Sequence, residues 1–360
     1  MNKLSILATI LLLLSNATGQ DNRIIRGKLP QEKESGKPSH SIYEKNLLDD
    51  RVPTNAIELK LKYTIPIESE IEEKEIFFKS IWYISVDPRG QIYVPDARMC
   101  VVYEFTKDGK LLSKYDKRGQ GPGDMQNPFN VLFYKDQIIV MDNSLGRITY
   151  FDREWKYIRS VTFIKGYKPF GIAEDGNIYC TDPSREKIIS VLNPNGNQIK
   201  SYGEIIYPEK KESPLNEVIM RLSPTGTVWV GFAALGIVRE YSDNGNIKNE
   251  VNILEVSSKL VKSNKEENDE FNKRGINAHY PLIKCFAFIN DDVYVTGGGL
   301  VKPIYQIDKN RKIKNIFYIK PQFMVENVCF YTALDQSNKE EFYILIRNDS
   351  EESIGVYGRK

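Results

Sequence analysis

The sequence predicts an all-β fold made of repeated four-stranded antiparallel sheets, and three observations carry that prediction. Apolar and polar residues alternate in short runs from Ala56 onward, with the period of half-buried strands. One strand–turn–strand unit recurs along the chain. Asp-Gly and Asn-Gly pairs recur at matching places in that unit, where Gly accepts the positive φ of a tight turn without a Cβ clash. Hydrophobic residues make up 41% of the 360, and Tyr (21) and Phe (16) dominate the aromatic share, which suits pleated surfaces around a sizeable core.

From the N-terminus, the chain opens with MNKLSILATILLLLSNATGQ. Lys3 is a short positive region, Leu4 to Leu14 is an apolar run of eleven residues, and Ala17 and Gly19 offer small side chains for cleavage before Gln20. Residues 1–19 therefore read as a secretory signal peptide. A membrane anchor is the competing reading, and the run is shorter than the about 20 residues a helical span needs. The expectation is an exported protein, periplasmic or secreted, with no membrane span. The first cysteine is Cys100, so a lipoprotein is not expected.

Residues 20–55, with PQEKESGKPSHS at their centre, lack a sustained apolar period and read as a polar linker or arm. IELKLKYTI at 57–65 then alternates as a strand. The repeats follow. A turn and second strand appear as DPRGQIYVPD (87–96), YKDQIIVMD (134–142), EDGNIYCTD (174–182), PTGTVWVGF (224–232) and NDDVYVTGG (291–299), with NKEEFYILI (338–346) as a fainter copy. A third strand, turn and fourth strand appear as VYEFTKDGKLL (102–112), ITYFDREWKYI (148–158), ISVLNPNGNQI (189–199), VREYSDNGNIK (238–248) and IYQIDKNRKIK (304–314). Units of about forty residues in this pattern match a six-bladed β-propeller of four-stranded antiparallel blades over 56–360. Each blade needs neighbours to cover its two faces. The sixth copy lacks an outer strand, and the N-terminal strand is expected to close the ring beside Ile354–Tyr357, hiding two sheet edges.

RGQGPGDMQNP (118–128) interrupts the first two copies with three glycines and two prolines. It occupies the crossing from the outer strand of one blade to the inner strand of the next. The glycines permit a sharp path, and Pro122 fixes φ and removes a donor. A ligand-binding reading stands beside this structural one, because crossings share a face with the loops joining second and third strands. The stretch is not a phosphate-binding loop, since GxxxxGK[ST] is absent.

IYVPDARMCVVYEFTKDGKLL and IIVMDNSLGRITYFDREWKYI resemble NHL repeats, and RGQGPGDMQNP resembles the RGxGPGE-type signature of exported bacterial six-bladed β-propellers. The resemblance spans roughly residues 56–360 and is specific around 82–170. It departs at Gly231 and Thr296, where the first three copies carry Asp96, Asp142 and Asp182. Most members of that family have no assigned reaction, so the resemblance implies a fold rather than an activity.

The face carrying the second-to-third-strand loops places Arg98, Arg147, Arg185, Lys187, Lys302 and Arg347 near Arg118 and Gln120 of the crossing. Convergent guanidinium groups bind carboxylates or sulfates through paired hydrogen bonds, which makes these residues candidates for ligand binding. Surface pairing with neighbouring Asp is the competing reading. Asp96, Asp142 and Asp182 are weak candidates for a Ca²⁺ site, and capping of their own loops is the expectation. No other cofactor is expected. His40 and His279 are the only histidines, which disfavours a zinc centre, and no GxSxG elbow occurs.

Among the four cysteines, Cys285 and Cys329 are the one pair worth testing for a disulfide, and buried free thiols are the expectation. Lys+Arg 50 against Asp+Glu 48 gives no support for a nucleic-acid partner. The long charged connection at 254–281 reads as a short helical excursion. The functional expectation is non-catalytic binding of a protein, glycan or peptide ligand in the cell envelope. The alternative is a lactonase- or lyase-type propeller with a carboxylate-ligated divalent metal.

Overall fold

A computed structural model describes residues 52–359 apart from 54, 70, 72–75, 164–167, 183–185, 212, 298–302, 320–324, 335–339 and 348–351. The signal segment 1–19 and almost all of the arm 20–55 lie outside the described residues. β1 is Ile57–Ile65. β2 (Ser85–Val86), β3 (Ile92–Asp96), β4 (Val101–Phe105) and β5 (Leu111–Tyr115) form the first four-stranded sheet in chain order. β6 (Pro128–Tyr134), β7 (Gln137–Asp142), β8 (Arg147–Phe151) and β9 (Tyr157–Thr162) form the second. β10 (Lys168–Ile172), β11 (Ile178–Thr181), β12 (Lys187–Leu192) and β13 (Gln198–Glu204) form the third. β14 (Val218–Leu222), β15 (Val228–Phe232), β16 (Ile237–Tyr241) and β17 (Ile247–Asn252) form the fourth.

The remaining strands depart from the expectation of six separate sheets. β18 (Ile283–Ile289), β19 (Asp292–Gly297), β20 (Ile304–Ile307) and β21 (Ile313–Ile319) join β22 (Val325–Leu334), β23 (Glu340–Arg347) and β24 (Glu352–Gly358) in one eight-stranded sheet, with β1 between β21 and β24. The cause is the length of β1. Its first residues, Ile57–Leu59, run parallel to Phe317–Ile319. Its later residues run antiparallel to β24, from Lys60 opposite Gly358 to Ile65 opposite Ile354. The N-terminal strand therefore lies beside Ile354–Tyr357 and also covers the edge of β21.

The core is distributed between neighbouring sheets. Along β3, Ile92 and Val94 enter a cluster with Leu345 and Val356, while Tyr93 enters another with Val131 and Val140. Along β7, Ile139 and Met141 pack toward Cys180 and Leu192, whereas Ile138 and Val140 pack toward Tyr93. Both faces of these strands are buried, so the alternation of side chains sends successive residues into different clusters. This explains why QIIVM is nearly continuous in apolar residues.

Turns at the outer edges show how neighbours are clasped. Gly109, Gly196 and Gly245 take positive φ of 84 to 87° in the third-to-fourth-strand turns. Trp155 and Arg311 hold the same position in two other turns at φ 60° and 63°. Left-handed backbone costs a side-chain-bearing residue on the order of 1 kcal/mol. Each of these residues reaches the preceding sheet. Trp155 stacks on Tyr115 with ring centroids 5.0 Å apart. Arg311 forks onto buried Glu240 through Nε and Nη2, at 2.8 and 2.9 Å. Arg153, two residues before Trp155, donates to buried Asp87 at 2.9 Å.

Candidate functional site

The loops joining second to third strands and the crossings between sheets share one face. The crossing at 116–127 is organised around Asp124. Gly121 N–H donates to Asp124 Oδ2 at 2.8 Å, and Lys117 Nζ lies 3.0 Å from Oδ1. These two groups hold the Asp124 carboxyl below its ordinary range, Lys117 first and the Gly121 amide second. A Cβ on Gly119 would overlap the Asp124 carboxylate, and one on Gly121 would lie 3.0 Å from it. Gly123 takes φ +80°, under the Tyr115 hydroxyl, which donates to its carbonyl. Gly119 and Gly121 thus let the chain wrap one carboxylate closely, and Gly123 lets it pass under Tyr115.

Arg147, expected to face a ligand, is committed to that same crossing. Its guanidinium donates to the carbonyl oxygens of Gln120 (3.2 Å), Gly121 (2.8 Å) and Asp124 (2.8 Å). Arg98 and Arg118 are exposed, and Gln120 is exposed close to Arg118 in sequence. Neither arginine has an acidic side-chain partner among the described residues. Arg185 and Lys302 lie outside the described residues, as does the side chain of Arg347. Lys187 pairs loosely with Glu204 at 3.9 Å.

Asp96 and Asp142 are buried, and their oxygens are taken by backbone amides. Asp96 accepts from Lys79, Arg98 and Met99 N–H groups at 2.6, 3.0 and 2.9 Å. Asp142 accepts from Gln126, Asn127 and Leu145 N–H groups at 2.7, 2.9 and 2.9 Å. Each carboxylate ties its own loop to the crossing that enters the same sheet. Asp182 accepts from Ser190 Oγ at 2.7 Å. A cation on Asp96 or Asp142 would have to displace these donors. Among the described residues no three His, Cys, Asp or Glu side chains gather closely enough to hold a metal ion.

The fourth sheet departs for a packing reason. A Cβ on Gly231 would meet Ile283 and Phe286 of the next sheet at 2.8 Å. Its following loop, Ala233–Leu235, is apolar and buried, where other loops are polar. The connection at 254–281 covers it. Helix α1 (Lys259–Lys273) starts at Ser258, whose Oγ accepts from Val261 N–H. Fully buried Asn268 donates to Ala234 and Tyr280 carbonyls and accepts from Tyr280 N–H. Ser213 donates to Asn272, fastening α1 to the preceding crossing. His279 Nε2 lies 3.5 Å from Glu217. Burial pulls its imidazole below the ordinary value, Glu217 opposes that pull, and Lys284 adds to it.

Cysteines follow the buried-thiol reading where described. Cys180 and Cys285 are buried free thiols in strands, and burial pushes the Cys180 thiol strongly upward. Cys100 is buried and free in a turn rather than a strand, at φ 56°. The Cys329 side chain lies outside the described residues.

Sequence patterns alone missed the segment 76–82, which crosses from β1 to the first sheet. It lies between two loops of this face. Phe78 bridges Glu352, and Ile81 bridges Asp96. Phe77 and Trp82 are 46% and 41% exposed. The signal in the sequence is the pairing of FFK and IWY with an unrepeated length of chain.

No protein-family model matches the sequence, and no curated protein does. Solved structures do match in fold. A candidate exported protein from Bacteroides fragilis aligns with TM-score 0.57 at 11% identity, over 86% of this chain and 96% of that one. A member of the DUF4221 family from Bacteroides vulgatus aligns with TM-score 0.57 at 12% identity, over 85% and 98%. A streptogramin B lyase aligns with TM-score 0.50 at 10% identity, over 84% and 88%. The chain has an all-β propeller fold. Among its described residues no helix is long and apolar enough to cross a membrane.

Proposed function

We propose that the chain is an exported six-bladed propeller that binds a ligand or partner on the face bearing Arg98, Arg118 and Gln120, without chemistry. Six hydrophobic clusters, each shared by two successive four-strand groups, support reading the eight-stranded sheet as two blades joined through β1. The observation that carries the binding reading is how polar groups on this face are used. The recurrent carboxylates Asp96 and Asp142 are consumed by backbone amides, while Arg98 and Arg118 stay exposed. Such a face presents cations on rigid loops rather than assembling acid and base. An array of glycans and peptides probed with the mature protein tests this. A ligand lost in the Arg98→Ala, Arg118→Ala double variant is expected; binding unchanged in that variant would refute the site.

The alternative is lyase- or lactonase-type chemistry. One observation favours it: half-buried His279 beside Glu217, an imidazole–carboxylate arrangement suited to proton transfer. Turnover of a lactone or cyclic ester by the wild type, abolished in His279→Ala, would establish that reading instead.

A further inference from the structure

We propose that Phe77, Lys79 and Trp82, together with Arg98, form a binding site for an acidic saccharide. This rests on the binding reading above and names its ligand class.

The segment is rigidly mounted. Ile76, Phe78 and Ile81 are buried at 4, 3 and 0% exposure, so three side chains anchor it. Ile81 N–H donates to Glu352 Oε2 at 2.7 Å, and Ala97 N–H donates to Ser80 O at 3.0 Å. Asp96 takes Lys79 N–H on one oxygen and Arg98 N–H on the other. A single buried carboxylate therefore ties the backbones of two cationic residues, from separate segments, to one point. Phe77 and Trp82 stand outward on the same segment, and Lys79 Nζ lies over the Phe77 ring at 5.0 Å.

Two features of this arrangement define the ligand. Neither Lys79 nor Arg98 has an acidic side-chain partner among the described residues, and both are exposed. An anionic group on a ligand can pair with them, and Arg98 offers the forked donors that suit a carboxylate or sulfate. Exposed aromatic planes on a backbone held in place bind apolar surface at a reduced ordering cost. A pyranose ring carrying a carboxylate or sulfate combines a flat C–H face with one anionic group. The overall charge balance of 50 against 48 offers no field for a polyanion such as nucleic acid.

The test uses the mature chain and a panel of uronate-, sialate- and sulfate-bearing oligosaccharides with their neutral counterparts, read by calorimetry and tryptophan fluorescence. At least one acidic oligosaccharide is expected to bind at least tenfold more tightly than its neutral counterpart. Trp82→Ala and Arg98→Ala should each weaken it at least tenfold, with melting temperatures near that of the wild type. Failure of every acidic member, or equal binding by Trp82→Ala, overturns the proposal. A peptide ligand that is lost in the Arg98, Arg118 double variant would leave the site reading standing and remove only the saccharide. Absence of binding by every class would remove both.

Discussion

Arg147 donates a hydrogen bond from Nη2 to the carbonyl oxygen of Asp124 at 2.8 Å, so the second sheet grips the crossing that leads into it. The same guanidinium reaches the carbonyls of Gln120 and Gly121. Arg147→Ala should destabilise the fold by about 2–3 kcal/mol, since bonds from a charged donor contribute more than neutral ones. Arg98→Ala and Arg118→Ala, both exposed, should each stay within about 0.5 kcal/mol of wild type. Chemical denaturation of the three variants checks this contrast.

Gly119 and Asp124 form the second test. A methyl group at Gly119 overlaps the Asp124 carboxylate, which also accepts from Gly121 N–H. Gly119→Ala should be destabilising alone and less so in an Asp124→Ala background. A double-mutant cycle should give a coupling energy above about 0.5 kcal/mol, the range seen for residues in contact. Additive effects would show that the glycine serves another purpose.

Asn268 fastens the connection over the face. Its buried amide satisfies the Ala234 carbonyl in a fully buried setting and the Tyr280 carbonyl and N–H in a partly buried one. Asn268→Ala leaves those groups without partners, at about 2–4 kcal/mol. Amide exchange should accelerate across Lys259–Tyr280 and Ala233–Leu235, while β3 and β7 keep their protection.

β1 is the third kind of fastening. Removing residues 57–65 would uncover an edge on β21 and another on β24 at once. The melting temperature should fall sharply and aggregation should rise, because unpaired edges template intermolecular pairing. A truncated chain that melts as the wild type does would contradict the closure.

Glu240 supplies the pH dependence. Burial alone would raise its carboxyl, but the Arg311 fork, Asn249 and Lys248 outweigh burial and hold it below the ordinary 4.5. A carboxyl lowered in the folded state contributes stability above its unfolded value, and that contribution is lost as pH falls through the folded one. Wild-type stability should therefore drop below about pH 4.5, and Glu240→Gln should flatten that part of the profile. Urea midpoints between pH 3 and 7 measure the difference.

Much of the fold was legible because its signals are local. The strand IYVPD and the turn TKDG declare themselves through a short strand-forming run, buried on both faces, and a Gly at φ +84°. The turn DREW was also legible, although Trp155 rather than Gly fills its left-handed position. The merging of the last two sheet groups was not legible. It depends on where Ile57–Leu59 lies relative to Phe317, a contact between residues far apart in the chain. The face was read in part. Arg98 and Arg118 emerged as exposed cations, but Arg147 looked identical to them in the sequence. Phe77 and Trp82 were overlooked because an isolated aromatic pair carries no period.

The amino-acid sequence alone determined the strands, their hairpin turns and their repetition, since backbone preference and side-chain alternation act between neighbours along the chain. The tertiary structure decided which polar side chains were used up inside the molecule and which faced outward. The Asp96 carboxylate and the Lys79 backbone N–H, or the Arg147 guanidinium and the Gly121 carbonyl, meet only after folding, and the charge of Asp96 or Arg147 would be available to a ligand only if no such partner had reached it first.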